Sequence, residues 1–281
     1  MSGDLIFDAH VHIWADDRQA YPQVPGLAKP ADLRGSVEWL VQEMDANGVS
    51  GALLVQVPWY GEDNRYIVDS RRRFPGRFAA LGYLPDPLAP DGADKLGRQF
   101  SEQGLRGVRL HLDQPSVVAG LAAGMADPLL RKARELGVPV QFLNRLPAQN
   151  EIIQLVARRF PDLVFINDHL GHPNLREGYP YPASRSFLAC GALPNVYAKV
   201  SLHHQLSSEA YPWRDVHEWQ KLTLESYGAR RLMWGSNYPM FMPKPSYKKR
   251  LEAVRSELPF LTEEERAWLL GKTALSLWAS A

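Results

Sequence analysis

The chain has 281 residues, of which 45% are hydrophobic and 22% charged, a balance that excludes a disordered or fibrous protein and supplies one large core or two small ones. Its 32 Lys and Arg face 31 Asp and Glu, so a net charge of +1 offers no general attraction to a nucleic-acid backbone or an anionic membrane. One cysteine, Cys190, excludes an internal disulfide, the start MSGDLIFDAH lacks a basic segment leading into a long apolar one, and no run approaches ~18 apolar residues. A soluble cytoplasmic protein is expected, with neither nucleic acid nor membrane as partner.

From the N-terminus, short β-rich runs alternate with longer amphipathic stretches, the pattern of βα units in a parallel sheet. The runs are 5–10, 51–57, 78–84, 105–111, 138–143, 163–168, 195–200 and 231–236. Helices are expected between them, for example over 36–47 stopped by Gly48, over 127–136 stopped by Gly137, and over 147–160. Eight such units predict an α/β fold of the (β/α)8 TIM barrel type, a single domain over 1–281, with a doubly wound open sheet as the rival. The proline-rich stretches 21–30, 83–90 and 237–245 are expected as ordered loops beyond the strand C-terminal ends, where a barrel holds its chemistry.

Alternation along each strand sorts side chains into two faces. In the first run Phe7, Ala9 and Val11 form an apolar set and leave Asp8, His10 and His12 together on the other face. The fourth sends Val108 and Leu110 outward and Arg109 and His111 inward. The sixth sends Val164 and Ile166 outward and Asn167 and His169 inward, and the seventh Val196, Ala198 and Val200 outward with Tyr197, Lys199 and Ser201 inward. The same rule turns Gln56 and Asn237 inward. Unpaired polar groups in a core cost about 1–3 kcal/mol each, so this set is expected to line a polar cavity at the strand ends. Asp8 also fits a strand-end or N-cap role, and Gln56 and Ser201 also fit as structural hydrogen-bonders. His172, His204 and His217 fall off the pattern and are expected in loops or at the surface, with Arg71, Arg72 and Arg73 on a solvated helix face.

The segment FDAHVHIW (7–14) resembles the D-x-H-x-H-x-W opening of the amidohydrolase superfamily. INDHLGHP (166–173), VYAKVS (196–201) and RLMWGSNYP (231–239) resemble its amidohydrolase-2 branch in order and spacing, and RGVRLHL (106–112) adds a weaker match. Within the branch the chain is most similar to the sugar-lactonase and 2-pyrone-4,6-dicarboxylate lactonase group. The resemblance implies a (β/α)8 barrel and hydrolysis of a small lactone or related carboxylate, with His10, His12 and His169 around the carbonyl. Many superfamily members bind a divalent metal on the first-strand histidines, whereas the pyrone lactonases work without one. The expected cofactor is therefore none, or a single Zn or Mn ion on His10, His12 and His169. Asn237 stands where the family carries an aspartate, which removes the expected base. The fourth strand lacks the carbamylated lysine of binuclear members and Asn144 replaces a fifth-strand histidine, so a binuclear centre is not expected. His172 stands where the pyrone dicarboxylate enzymes carry a guanidinium.

On this reading the three histidines polarise the carbonyl and Arg109, with Asn144 and Arg145, holds a carboxylate or polar ring group. Asn237 holds water or substrate, and the proton passes to His169, His111, His203 or Lys199. Gln56 completes the expected substrate-binding set. The alternatives are a metal-dependent decarboxylase or other lyase of an aromatic or unsaturated acid, and a catalytically silent ligand-binding barrel. The expected partner is a small cyclic carboxylate or lactone, and assembly into a homo-oligomer is left open.

Overall fold

A computed structural model describes residues 5–27, 33–242 and 244–278; positions 28–30 of the first proline-rich loop and position 243 of the last lie outside the described residues. Eight strands, β1 (Ile6–Val11), β2 (Val49–Val55), β3 (Phe78–Tyr83), β4 (Val108–His111), β5 (Val140–Leu143), β6 (Phe165–Asn167), β7 (Val196–Val200) and β8 (Leu232–Trp234), pair in parallel in sequence order. The sheet closes where the segment after β8 meets β1. There His12 N donates to Tyr238 O at 2.6 Å and Asn237 N donates to His10 O at 2.8 Å. The barrel is therefore closed and the open doubly wound sheet is excluded.

Helix Val37–Asn47 ends on Gly48 with φ 72°, and helix Asp127–Leu136 on Gly137 with φ 65°, both in the left-handed conformation that glycine reaches without penalty. The helix expected over 147–160 divides into a 3-10 turn, Pro147–Gln149, and helix Asn150–Arg159. Among the described residues, no helix is long and apolar enough to cross a membrane.

Two apolar layers hold the barrel. Leu54, Val108, Leu110, Phe142 and Trp234 face the surrounding helices, while Phe7, Leu53, Val55, Leu81, Ile166 and Met233 meet in the lumen. Trp278 of helix Thr273–Trp278 belongs to the lumen cluster and seals it at the strand N-terminal ends. Each such side chain contributes about 1.5–3 kcal/mol of burial. Above this plug the lumen turns polar with Arg109, Gln141, Asp168 and Lys199, all buried.

The face assignments fail at three strands. On β1, Asp8 pairs with Ala52 and Val11 with Leu54, so three steps oppose two: a bulge inserts one residue. Phe7 and Ala9 point into the lumen below the bulge, and Asp8 turns outward to Tyr247. On β6 the parity is reversed, with Ile166 in the lumen, Asn167 outward against Asn150, and Asp168 inward. On β2, Val55 takes the lumen side and Gln56 the outer one, where it donates to Asp63 O and Asn64 Oδ1 and accepts from Val57 N.

Candidate active site

The bulge on β1 brings His10 and His12 to the same side. Their Nε2 atoms are 3.1 Å apart, and His12 Nδ1 lies 2.7 Å from Val55 O. A carbonyl only accepts, so Nδ1 of His12 carries the proton and its Nε2 the lone pair. Asp8, although outside the cavity, pins this corner: Oδ1 accepts His10 N–H and Ser236 N–H, and Oδ2 accepts the Tyr247 hydroxyl. Gly235 permits the close approach, since a Cβ there would sit 2.6 Å from His10 Cβ.

Asp168, at the end of β6, is the hub beneath the histidines. Its Oδ2 accepts from Arg109 Nε at 3.0 Å, Arg109 Nη2 at 2.8 Å and Gln141 Nε2 at 3.0 Å. Its Oδ1 lies 3.4 Å from His10 Nδ1 and 3.8 Å from Lys199 Nζ, and no well-formed hydrogen bond reaches it. Burial alone would raise this carboxyl, but Arg109, with Lys199 beside it, outweighs burial and holds it well below the ordinary carboxylate range. The parity rule pointed to Asn167 rather than Asp168; the signal that could have found it is the DH pair itself, an acid at a strand end beside a site histidine.

His169 and His172 project from the turn after β6. His169, Leu170 and His172 all have positive φ, at 54°, 56° and 50°, a conformation that costs non-glycine residues about 1–2 kcal/mol each. The turn is held from outside the cavity: Trp219 Nε1 donates to Leu170 O, and Asn144 Nδ2 and Asn150 Nδ2 donate to Gly171 O. Asn144 therefore supports the turn and does not line the cavity. His169 Nδ1 is 2.8 Å from Ser201 Oγ, which fixes its ring.

The cavity measures about 220 Å³, equivalent to roughly seven waters at ~30 Å³ each. Its lining joins His12, Arg109, His111, His169, His172 and Asn237 to apolar walls from Trp59, Leu143, Leu202, Met240 and Phe241. His172, expected in a loop or at the surface, lies in the turn after β6 and lines the cavity. Lys199 lies under the cavity floor with Nζ 3.2 Å from His10 Nδ1 and a bond to Gln141 Oε1. His203 is buried and stacks near Trp213, away from the lining, and Gln56 is on the outer face of β2.

The histidines around the cavity are held neutral. Burial, followed by the Arg109 charge, pushes His12 down to about 3, and burial pushes His172 down to about 4. Burial also holds His10 and His169 well below their ordinary value and lowers His111. Arg109 is paired with Asp168, and Arg145 at the rim is paired with Asp113 at 2.9 Å. A carboxylate ligand would meet both arginines already engaged in ion pairs, Arg109 at the cavity floor through Nε and Nη2.

For a metal, His10, Asp168 and His169 present ligand atoms within 4.8 Å of one another, and His12 Nε2 stands beside His10. Imidazoles with one carboxylate form a donor set suited to a single divalent ion, and Asp168 Oδ1, which accepts no well-formed hydrogen bond, lies among them.

Known proteins align with this arrangement. L-fucono-1,5-lactonase of Burkholderia ambifaria is 28% identical over 255 residues, covering 83% of this chain and 80% of the relative. The 4-sulfomuconolactone hydrolase of Hydrogenophaga intermedia is 23% identical over 236 residues, covering 83% and 74%. A crystal structure of an amidohydrolase from Burkholderia multivorans with bound zinc superposes with a TM-score of 0.81 at 23% identity, covering 98% of this chain and 99% of that one. The Amidohydro_2 family profile, described as amidohydrolase, matches residues 7–279, a span that holds His10, His12 and the helix that seals the lumen, and the chain belongs to the amidohydrolase family.

Proposed function

We propose that the chain hydrolyses a small, uncharged lactone to the corresponding hydroxy acid. The observation that carries this reading is the cavity itself: neutral imidazoles gather around it while each of its arginines is already paired with a carboxylate. The similarity to a sugar lactonase and to a lactone hydrolase supports the ester chemistry.

The side chains suit the steps of ester hydrolysis. His12 Nε2 is engaged by His10, whereas His169 uses Nδ1 for Ser201 and keeps Nε2 for the cavity. His169 is therefore the base that takes a proton from water as its oxygen adds to the carbonyl carbon. Asn237, whose backbone is fixed by its bond to His10 O, supplies an amide N–H to the carbonyl oxygen as negative charge builds, with the Arg109 guanidinium close by. When the ring C–O bond breaks, the leaving alkoxide recovers the proton from the imidazolium, and one water has been added.

A single Zn or Mn ion would be held by His10, Asp168 and His169 with His12 Nε2 beside His10, and when bound it would supply Lewis-acid polarisation of the carbonyl and a more acidic water, His169 then being a ligand rather than the base. The alternative of a metal-dependent decarboxylase requires a bound divalent ion for its acidic substrate, and the similarity to two lactone hydrolases favours ester hydrolysis over it.

The test is a panel of uncharged 1,4- and 1,5-lactones beside carboxylated ones, followed by acid release in a pH-indicator assay. The expected result is at least a tenfold higher kcat/KM for the uncharged group. Turnover of none of them overturns the lactonase reading, and a preference for carboxylated lactones overturns the assignment of an uncharged substrate.

A further inference from the structure

One nitrogen in the site faces two competing partners. His10 Nδ1 lies 3.2 Å from Lys199 Nζ and 3.4 Å from Asp168 Oδ1, and all three side chains are fully buried. With Lys199 as the ammonium, which only donates, the first contact requires a lone pair on Nδ1. The second requires a proton on Nδ1, because a carboxylate only accepts. The two contacts therefore select opposite tautomers of His10.

The neighbouring ring decides between them. His12 gives its Nδ1 proton to Val55 O at 2.7 Å, so a neutral His12 presents only a lone pair at Nε2. The Nε2 contact of 3.1 Å between the rings then needs the proton on His10. A continuous, directed chain results: Lys199 Nζ–H to His10 Nδ1, His10 Nε2–H to His12 Nε2, His12 Nδ1–H to Val55 O. Gln141 anchors its start, accepting from Lys199 through Oε1 and donating to Asp168 through Nε2. In this state neither nitrogen of His10 is open to a cation: Nε2 carries the proton and the Nδ1 lone pair is taken.

We infer that Lys199 is a positioning residue that locks His10 in the Nε2–H tautomer and so holds down the site's affinity for a divalent ion. An ion enters when His10 changes partner, passing its Nδ1–H to Asp168 Oδ1, the buried oxygen without a well-formed bond, and offering Nε2 instead. A carboxylate behind an imidazole is the arrangement that orients a metal-binding histidine. Lys199 and Asp168 thus hold the two ends of one choice, and the lock requires only that Lys199 donate. The inference is independent of the lactone reading, since its test measures no turnover.

The experiment uses the full-length, chelator-treated protein labelled with 15N-histidine, with His10 assigned by a His10→Gln variant. Two-bond 1H–15N spectra report the tautomer, and chelator competition reports Zn2+ affinity. Wild type is expected as Nε2–H. Lys199→Met is expected to turn His10 to Nδ1–H and to tighten Zn2+ binding at least tenfold. Lys199→Gln, which keeps an N–H donor and loses the charge, is expected to retain Nε2–H and to change the affinity less than threefold. A wild-type spectrum showing Nδ1–H overturns the lock, and it does so even if Lys199→Met does not fold. Equal tightening in the Met and Gln variants also overturns it, because charge rather than hydrogen bonding would then set the affinity.

Discussion

Replacing Asp168 by Asn tests the ion pair at the floor of the cavity. The Asp168 side chain is 0% exposed and that of Arg109 4%, so solvent screens their attraction very little. Removing one member of a buried pair costs about 3–5 kcal/mol, because the other charge is left unpaired. Asn keeps an oxygen that accepts part of the three bonds now made to Oδ2, which places Asp168→Asn near ~3 kcal/mol, the lower end of that range. Urea unfolding of wild type and variant measures the loss, and adding Arg109→Met completes a double-mutant cycle. The double variant is expected to be more stable than additivity predicts, by about 2 kcal/mol or more, because it removes the charge that Asp168→Asn strands. The pH dependence follows from the depressed carboxyl: the contribution is complete above the unfolded value of about 3.9 and is lost as pH falls toward the lower folded value. The carboxyl's own part of the stability gap should narrow below about pH 4. A loss under ~1 kcal/mol at pH 7 would refute the buried-hub assignment.

Asn150→Ala strands the Asn144 and Asn167 amides that now donate to its Oδ1, and it should cost about 2–4 kcal/mol in urea unfolding; a loss within 0.5 kcal/mol of zero contradicts the supporting role of this cluster. His169→Ala is expected to lower kcat on an uncharged lactone at least 100-fold with an unchanged circular dichroism spectrum, and near-normal turnover moves the base elsewhere. Asn237→Asp loses the amide donor, so kcat/KM should fall about tenfold; a rise of orders of magnitude shows that a carboxylate base was the missing element. Acid stability follows from histidines buried neutral. His12 and His203 at about 3 and His172 at about 4 all lie below an unfolded value near 6.5, so the unfolded chain binds protons first. Stability is complete above pH 6.5 and falls below it, by up to about 1.4 kcal/mol per pH unit for each histidine, and a flat melting profile from pH 7 to 5 would contradict their burial.

The barrel was legible because each βα unit carries its own signals. All eight β-rich runs hold a strand, and Gly48 and Gly137 end their helices where the pattern placed them. Six of the strands are shorter than their runs, and β6 and β8 keep the smallest share: β6 keeps three residues of 163–168, and β8 three of 231–236. The histidines His10, His12 and His169 and the amide Asn237 do converge. Asn144, His203 and Gln56 do not reach the cavity, since each lies on or beyond the outer face, where a helix or loop supplies its partners.

What alternation alone cannot supply is the phase of a strand, and that is where the site was misread. A two-residue period has only two settings, so one inserted residue exchanges every face assignment on one side of it. On β1 the bulge falls between Asp8 and Val11, which keeps the histidines inward while sending Asp8 out to Tyr247 and Ser236. On β6 the alternation rule took Ile166 as an outward residue, but a barrel lumen is itself apolar near its sealed end, so Ile166 satisfies burial from the inside as well. Apolar character therefore marks both faces of the lower half of a barrel strand and stops discriminating between them. A buried polar or charged residue separates the faces there only once its partner is known, as Asp8 shows by finding Tyr247 and Ser236 on the outer side. Had Asp168 been required to find a cation, Arg109 on β4 and Lys199 on β7 were the inward-facing candidates, and that pairing would have set the phase of β6 and exposed the hub beneath the histidines.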